Sequence, residues 1–160
     1  MLNRLGVTLP IVQAPMAGVS TPAMAAAVSN AGGLGSIGVG ATDAAGARAM
    51  IVEVQARTVR AFNVNLFVHA TPAADPARET AWLDGLAPVF AEFGVAPPSR
   101  LTTIYKSFAD DPEMLALLLE VRPPVVSLHF GLPSAQIIAA LKQAGILLLA
   151  TATSLDEARR

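Results

Sequence analysis

The sequence predicts an α/β fold, a parallel (β/α) barrel of the TIM type of which this chain holds an incomplete part, about five strands. Five short apolar segments alternate with helical segments along the 160 residues, and such alternation is typical of a parallel sheet. The composition is 53% hydrophobic but only 5% aromatic, which suits buried strands under alanine-rich helices. A complete eight-stranded barrel needs about 250 residues, so we expect a little over half of one.

Each element is predicted from local signals. Strands are expected over residues 11–14, 34–39, 61–68, 125–130 and 146–150. Helices are expected over 23–30, from 44 to about 58, from 75 or 76 to the prolines at 97–98, over 113–121, over 134–144 and from 155 onward. Thr21, Asp43 and Asp111 each precede a helix, where a side-chain oxygen can accept a hydrogen bond from a first-turn N–H.

The interval 71–121 departs from the regular alternation. It is too long for one plain crossover between strands, so we expect an inserted element there. Residues 101–107 within it could form a short strand or a loop. The domain prediction is therefore that residues 1–160 are the N-terminal part of a single barrel domain with an insertion around 71–121.

Composition excludes several classes of function. Eleven basic and twelve acidic side chains nearly cancel and form no basic run, which argues against nucleic-acid binding. The absence of cysteine excludes disulfides and thiolate chemistry, and two histidines argue against a metal site. Neither a signal peptide nor an apolar segment of membrane-spanning length is found, so we expect a cytoplasmic protein that does not bind membranes.

Polar side chains alternate with apolar ones along two predicted strands. Asn63 and Asn65 lie on the face of the third strand opposite to its apolar residues. Ser127 and His129 share the polar face of the fourth, and His129 stands at the carboxyl end, where (β/α) barrels carry reactive groups. An imidazole ordinarily titrates near pH ~6.5, which suits proton transfer. Two other interpretations compete: His129 could have only a structural role, and the Asn65 amide could only satisfy the hydrogen bonds of loop backbone.

The segment PIVQAPMAG at residues 10–18 predicts a strand followed by a turn of small residues. Such a turn presents backbone, which allows a flat ligand to approach closely. Ala14, Pro15 and Met16 would form that platform, and an ordinary strand terminus is the alternative.

Five segments in order resemble the nitronate monooxygenase family, formerly called 2-nitropropane dioxygenases: PIVQAPMAG, AGGLGSIG, FNVNLF, VVSLHFGLP and ATATSLDEA. The resemblance covers nearly the whole chain, as the N-terminal half of a family member. It implies a TIM-like barrel with a smaller inserted domain and non-covalent FMN. The implied activity is oxidation of alkyl nitronates, and in some members neutral nitroalkanes, by O2 to a carbonyl compound and nitrite.

The resemblance also implies roles for individual residues. Ala14, Pro15 and Met16 would line the flavin ring, and Asn65 falls on the asparagine of the family motif that contacts FMN. His129 falls on the motif histidine, implied as the base that removes the proton α to the nitro group. Thr151 lies where some relatives contact the flavin.

One departure from the family pattern leaves alternatives open. The family's phosphate-binding glycines come from the second half of the barrel, so the resemblance implies a missing C-terminal half, and a homo-oligomer also stays open. A flavin NAD(P)H:quinone or enoyl reductase on the same barrel is the second enzymatic interpretation. An inactive half-barrel scaffold that needs a partner chain is the non-enzymatic one.

Overall fold

The computed structural model describes residues 2–159, with side chains from residue 4 onward. One parallel sheet has the strand order β1 (Gly35–Gly38), β2 (Phe62–Phe67), β3 (Val125–His129) and β4 (Leu147–Ala150). The helices are α1 (Pro22–Asn30), α2 (Ala44–Arg57), α3 (Pro76–Glu92), α4 (Pro112–Val121), α5 (Ala135–Gln143) and α6 (Leu155–Ala158), with 3₁₀ turns at Leu2–Leu5 and Phe108–Asp110. The α/β class and the parallel pairing are as predicted.

The chain divides into two compact units. Met1–Ala70 and Tyr105–Arg160 form one unit, which holds the whole sheet. Thr71–Ile104 forms the other, which holds α3. None of the helices among the described residues is long and apolar enough to cross a membrane.

The helix starts are set by local side-chain caps. Thr21 accepts a hydrogen bond from the backbone N–H of Met24 at the start of α1, and Asp43 accepts one from Gly46 at the start of α2. Asp111 does the same at α4. Each cap satisfies a first-turn N–H that has no partner inside the helix, so these three predicted starts are confirmed.

Four helices of the sheet-containing unit, α1, α2, α4 and α5, pack on one face of the sheet and bury its apolar side chains. Phe62, Val64 and Leu66 of β2 point to this face, as their spacing in the sequence predicts. Fully buried side chains of that core include Ile37, Ile51, Val54, Val64, Leu118, Val126 and Leu141. Because the apolar side chains of the strands point to this face, the polar side chains that alternate with them point to the opposite face.

The strand predicted over Ile11–Ala14 is not formed; only an isolated bridge joins Val12 to Leu34. Beyond this bridge the side-chain amide of Gln13 replaces the backbone as the pairing partner. Its Nε2 donates to the Ser36 carbonyl and its Oε1 accepts from the Ser36 N–H, both at 3.2 Å. The backbone then turns away at Pro15, which has no N–H to continue a ladder. The sheet therefore has four strands instead of the five predicted.

Two further expectations are resolved by the structure. Residues 101–107 contain no strand, so the loop alternative is the correct one. The other strands are one or two residues shorter than predicted.

An ion pair links α2 to α4 on the surface. The Arg48 guanidinium donates to both carboxylate oxygens of Glu120, at 2.7 and 2.5 Å. These hydrogen bonds lower the pKa of Glu120 and raise that of Arg48. A lowered carboxyl pKa contributes stability above the pKa of the unfolded chain, and this contribution disappears as the pH falls through the folded value. Both side chains are largely exposed, so solvent keeps the contribution small.

Candidate ligand site at the carboxyl ends of the strands

The face of the sheet opposite the helices changes character along the strands. At the amino ends it is apolar, where Leu34 and Val125 form a small buried cluster with Val7. Toward the carboxyl ends it becomes polar. We call this part the polar face; it comprises Ser36, Asn63, Asn65, Ser127 and His129.

Hydrogen bonds connect the polar face across three strands. Asn63 Nδ2 donates to Ser36 Oγ at 3.2 Å and to Ser127 Oγ at 2.9 Å. The Ser127 hydroxyl in turn donates to Asn65 Oδ1 at 2.8 Å. Asn63 and Asn65 are only 2% and 6% exposed. Asn63 Oδ1 has no partner, and among the described residues no other buried side-chain polar atom lacks one.

The turn at Ala14–Met16 is held by one buried hydroxyl. Ser20 Oγ donates to the Ala14 carbonyl at 2.8 Å and accepts from the Met16 N–H at 3.0 Å. Ala14 and Met16 remain exposed, so the turn is rigid at its base and accessible on its surface.

Gly38 allows this turn to approach the sheet. A Cβ on Gly38 would lie 2.9 Å from the Pro15 carbonyl oxygen and 3.2 Å from the Ala17 nitrogen. Gly38 pairs in register with Asn65, so any Cβ would point to the same face as the Asn65 side chain. The turn backbone consequently lies beside Asn65 at the carboxyl edge of the sheet.

His129 is held by a partner on the next strand. Its Nδ1 lies 2.9 Å from the Thr151 hydroxyl, which follows β4 directly. The imidazole also packs on the ring of Phe130, with 4.0 Å between the ring centroids. Phe130 adopts φ +74°, a conformation that non-glycine residues rarely take and that commonly marks a functional site.

The structure thus brings the sequence-predicted residues to one edge of the sheet. His129 contacts Thr151, and the turn of Ala14, Pro15 and Met16 lies beside Asn65. Sequence reasoning missed the supporting residues Ser20 and Gly38, and it noted Ser127 only for its facing. The alternation of FNVNLF and VVSLHF could have suggested the contact between Asn65 and Ser127, whereas no local pattern indicated Ser20.

Lys106 carries a positive charge near the end of β2, where it lines a small cavity together with Phe67. Its Nζ lies 2.9 Å from Asp111 Oδ1. The hydrogen bond to this carboxylate raises the pKa of Lys106. Since Asp111 offsets the charge and also caps α4, the pair secures this loop instead of forming an anion site.

A separate cavity lies inside the unit Thr71–Ile104. It measures about 560 Å³, is open and mostly apolar, and is lined by Arg78, Glu79, Ala81, Trp82 and Leu101. Neither histidine lines it. No cluster of three or more potential metal ligands occurs among the described residues. The carboxyl edge of the sheet is therefore the stronger candidate site, because its polar side chains converge.

The whole chain is similar to known proteins. A family model described as nitronate monooxygenase matches residues 1–160. A nitronate monooxygenase of Paraburkholderia phytofirmans is 60% identical over 158 residues, 99% of this chain and 43% of that protein. One of Pseudomonas aeruginosa is 58% identical over 154 residues, 96% of this chain and 44% of that protein. The chain thus spans less than half the length of these relatives.

Two solved structures are similar to this chain over nearly its whole length. A nitroalkane oxidase from Streptomyces ansochromogenes superimposes with a TM-score of 0.84 at 40% identity, covering 99% of this chain and 44% of that one. FabK from Thermotoga maritima gives a TM-score of 0.66 at 27% identity, covering 98% of this chain and 38% of that one.

Proposed function

The chain belongs to the nitronate monooxygenase family, a family of oxidoreductases, and from this premise we propose that the protein oxidises alkyl nitronates with O2 to a carbonyl compound and nitrite. We propose FMN as its cofactor and small nitronates or nitroalkanes as its substrates. One observation carries the proposal: His129, paired with Thr151, shares a face and an edge of the sheet with Asn65 and the accessible turn at Ala14–Met16.

The fold proposal is that this sheet is part of a TIM-type barrel. The strands of the sheet follow one another in chain order, and the helices that pack on the sheet all lie on one side of it. This is the arrangement of a (β/α) barrel wall. The chain covers less than half of the length of its relatives, which supports a sheet that forms only part of a barrel. We further propose that residues 1–160 are part of one barrel domain, with residues 71–104 as the inserted element.

The residues present fit one end of FMN. The turn of Ala14, Pro15 and Met16 offers a bare, accessible surface for a flat ring, and Asn65 Nδ2 makes no hydrogen bond among the described residues, so an N–H donor is available next to it. When bound, FMN supplies the transfer of electrons between an electron-rich nitronate and O2. Phosphate binding in this fold uses loops after strands 7–8, so the phosphate is assigned to residues outside this chain.

His129 is proposed as the base for neutral nitroalkanes. When the Thr151 oxygen accepts a hydrogen bond from Nδ1–H, the lone pair of Nε2 is free. Nε2 then takes the proton from the carbon α to the nitro group, which leaves the nitronate anion and an imidazolium. Thr151 continues to accept from Nδ1–H in the charged form. A nitronate supplied as substrate has already lost this proton and does not need the step.

The proposed function is tested on the protein expressed from its complete gene. We expect bound FMN, and we expect nitrite to form from a secondary alkyl nitronate under air. Oxidation of NADH with a quinone and no nitrite from nitronate would instead identify a reductase. A colourless protein whose addition leaves FMN fluorescence unchanged would favour the scaffold interpretation.

Thr151→Val tests the positioning of His129. The substitution keeps the shape of the side chain but removes the hydroxyl, so Nδ1 loses its partner. We expect kcat with a neutral nitroalkane to fall about three- to tenfold, the size of one hydrogen bond, while kcat with the nitronate is retained. Thr151→Ser should restore the rate. Unchanged kcat in the valine variant would show that the contact is not used.

A further inference from the structure

The hydrogen bonds of the polar face have a fixed direction. An amide nitrogen has two N–H groups, and Asn63 Nδ2 uses both, one to Ser36 Oγ and one to Ser127 Oγ. A serine hydroxyl has a single hydrogen to donate. Since Ser127 accepts from Asn63, it donates that hydrogen to Asn65 Oδ1, at 2.8 Å. In this arrangement the hydroxyl that accepts from Asn63 gives its one hydrogen to Asn65 Oδ1, so the two amides are linked through Ser127.

The opposite orientation of the Asn63 and Asn65 amides is less favourable. If both amides were flipped, Asn63 Oδ1 would face the two hydroxyls and its Nδ2 would be buried with no acceptor. In the observed orientation the Asn63 carbonyl oxygen is the one buried side-chain polar atom of the described residues that lacks a partner. A buried N–H without a partner is rarer in proteins than an under-satisfied carbonyl. The burial of Asn63, 2% exposed, therefore favours the observed direction.

We propose that Asn63 and Ser127 are positioning residues that make Asn65 present its NH2 group, and not its carbonyl, to the ligand. Asn65 Oδ1 is occupied by Ser127, and Asn65 Nδ2 makes no hydrogen bond among the described residues. The group recognised is then a hydrogen-bond acceptor, a carbonyl oxygen or an unprotonated ring nitrogen on the edge of a flat heteroaromatic ring. This inference rests on the proposed function, in which that ring is the flavin of FMN.

Ser127→Ala tests the relay through the affinity for FMN. Without the hydroxyl, Asn65 Oδ1 loses its donor and the amide is free to turn. In apoprotein made from the complete gene, we expect the dissociation constant for FMN, measured by fluorescence titration, to rise about five- to tenfold. Ser127→Thr keeps a hydroxyl at the same place and should restore the affinity.

Ser29→Ala is the matched control. Ser29 is 1% exposed, and its hydroxyl donates to the Ala61 carbonyl and accepts from the Gly35 N–H, so it also makes two hydrogen bonds, but away from the polar face. We expect both alanine variants to unfold at lower denaturant concentration and only Ser127→Ala to lose affinity for FMN. Equal losses of affinity in both variants would overturn the positioning role.

Asn65→Asp tests the polarity directly and does not depend on the behaviour of the alanine variant. The carboxylate has the shape of the amide and can still accept from Ser127, but the atom facing the ligand becomes an acceptor. We expect FMN binding at least about tenfold weaker than in the wild type. Wild-type affinity in this variant or in Ser127→Ala would overturn the inference alone, whereas a wild-type protein that binds no FMN would overturn the proposed function and this inference with it.

Discussion

His129→Asn is expected to lower turnover of neutral nitroalkanes by about 10² to 10⁴-fold, the usual contribution of a general base. The amide of asparagine can still pack near Phe130 and reach Thr151, but it cannot accept a proton from carbon. Turnover of the same compound supplied as its nitronate should remain near the wild-type value. The measurement is nitrite release from both forms under air, with the FMN content of each preparation as the control.

The difference between the two substrates distinguishes a base from a structural residue. A misfolded site would slow both substrates together and lose FMN. A missing base slows only the substrate that still carries its proton. If the wild type and His129→Asn oxidise the neutral nitroalkane at equal rates, the assignment of His129 as the base is wrong.

Gly35→Ala is expected to destabilise the fold more than any other glycine substitution in the sheet. A Cβ at this position would lie 1.8 Å from the Ala25 carbonyl oxygen and 2.6 Å from its carbonyl carbon. Both atoms belong to the backbone of α1, so the whole helix would have to move away from β1. We expect a loss of about 3 kcal/mol or more in the free energy of unfolding, measured by circular dichroism in denaturant.

Gly85→Ala is the control for this prediction. Gly85 lies inside α3, and a Cβ there would meet no atom within 4 Å. Alanine in the interior of a helix is favoured over glycine by about 0.5–1 kcal/mol, so this variant should be slightly more stable than the wild type. An unfolding midpoint of Gly35→Ala that equals that of the wild type would contradict the close contact between α1 and β1.

Elements with local causes were predictable from the sequence. The caps at Thr21, Asp43 and Asp111 act on N–H groups three residues ahead, so a short window of sequence contains both partners. The two faces of β2 were equally readable, because side chains alternate strictly along a strand. The same alternation placed Asn65 and His129 on the face opposite the helix-covered core before any contact was known.

The first strand shows where local reasoning fails. Its apolar residues and its proline stop were read correctly, but pairing depends on a partner more than 20 residues away. There the side chain of Gln13 takes both hydrogen bonds of Ser36, so the backbone bridge ends after Val12. Strand propensity depends on neighbouring residues, so it does not predict that a side-chain amide will take the hydrogen bonds of the next strand.

The parallel α/β class, the helix starts, the polar face and its candidate residues were predictable from the sequence, because each depends on periodicity or on neighbours within one turn. The end of α3 was not: it was expected at the prolines 97–98 and lies at Glu92. The contacts, in contrast, come from the folded arrangement: His129 with Thr151, Ser127 with Asn65, and the Pro15 backbone over Gly38. The two hydrogen-bonded pairs join residues that are 22 and 62 positions apart in the sequence, respectively. They exist because parallel strands bring their carboxyl ends to the same edge of the sheet, and the register between strands selects which side chains meet.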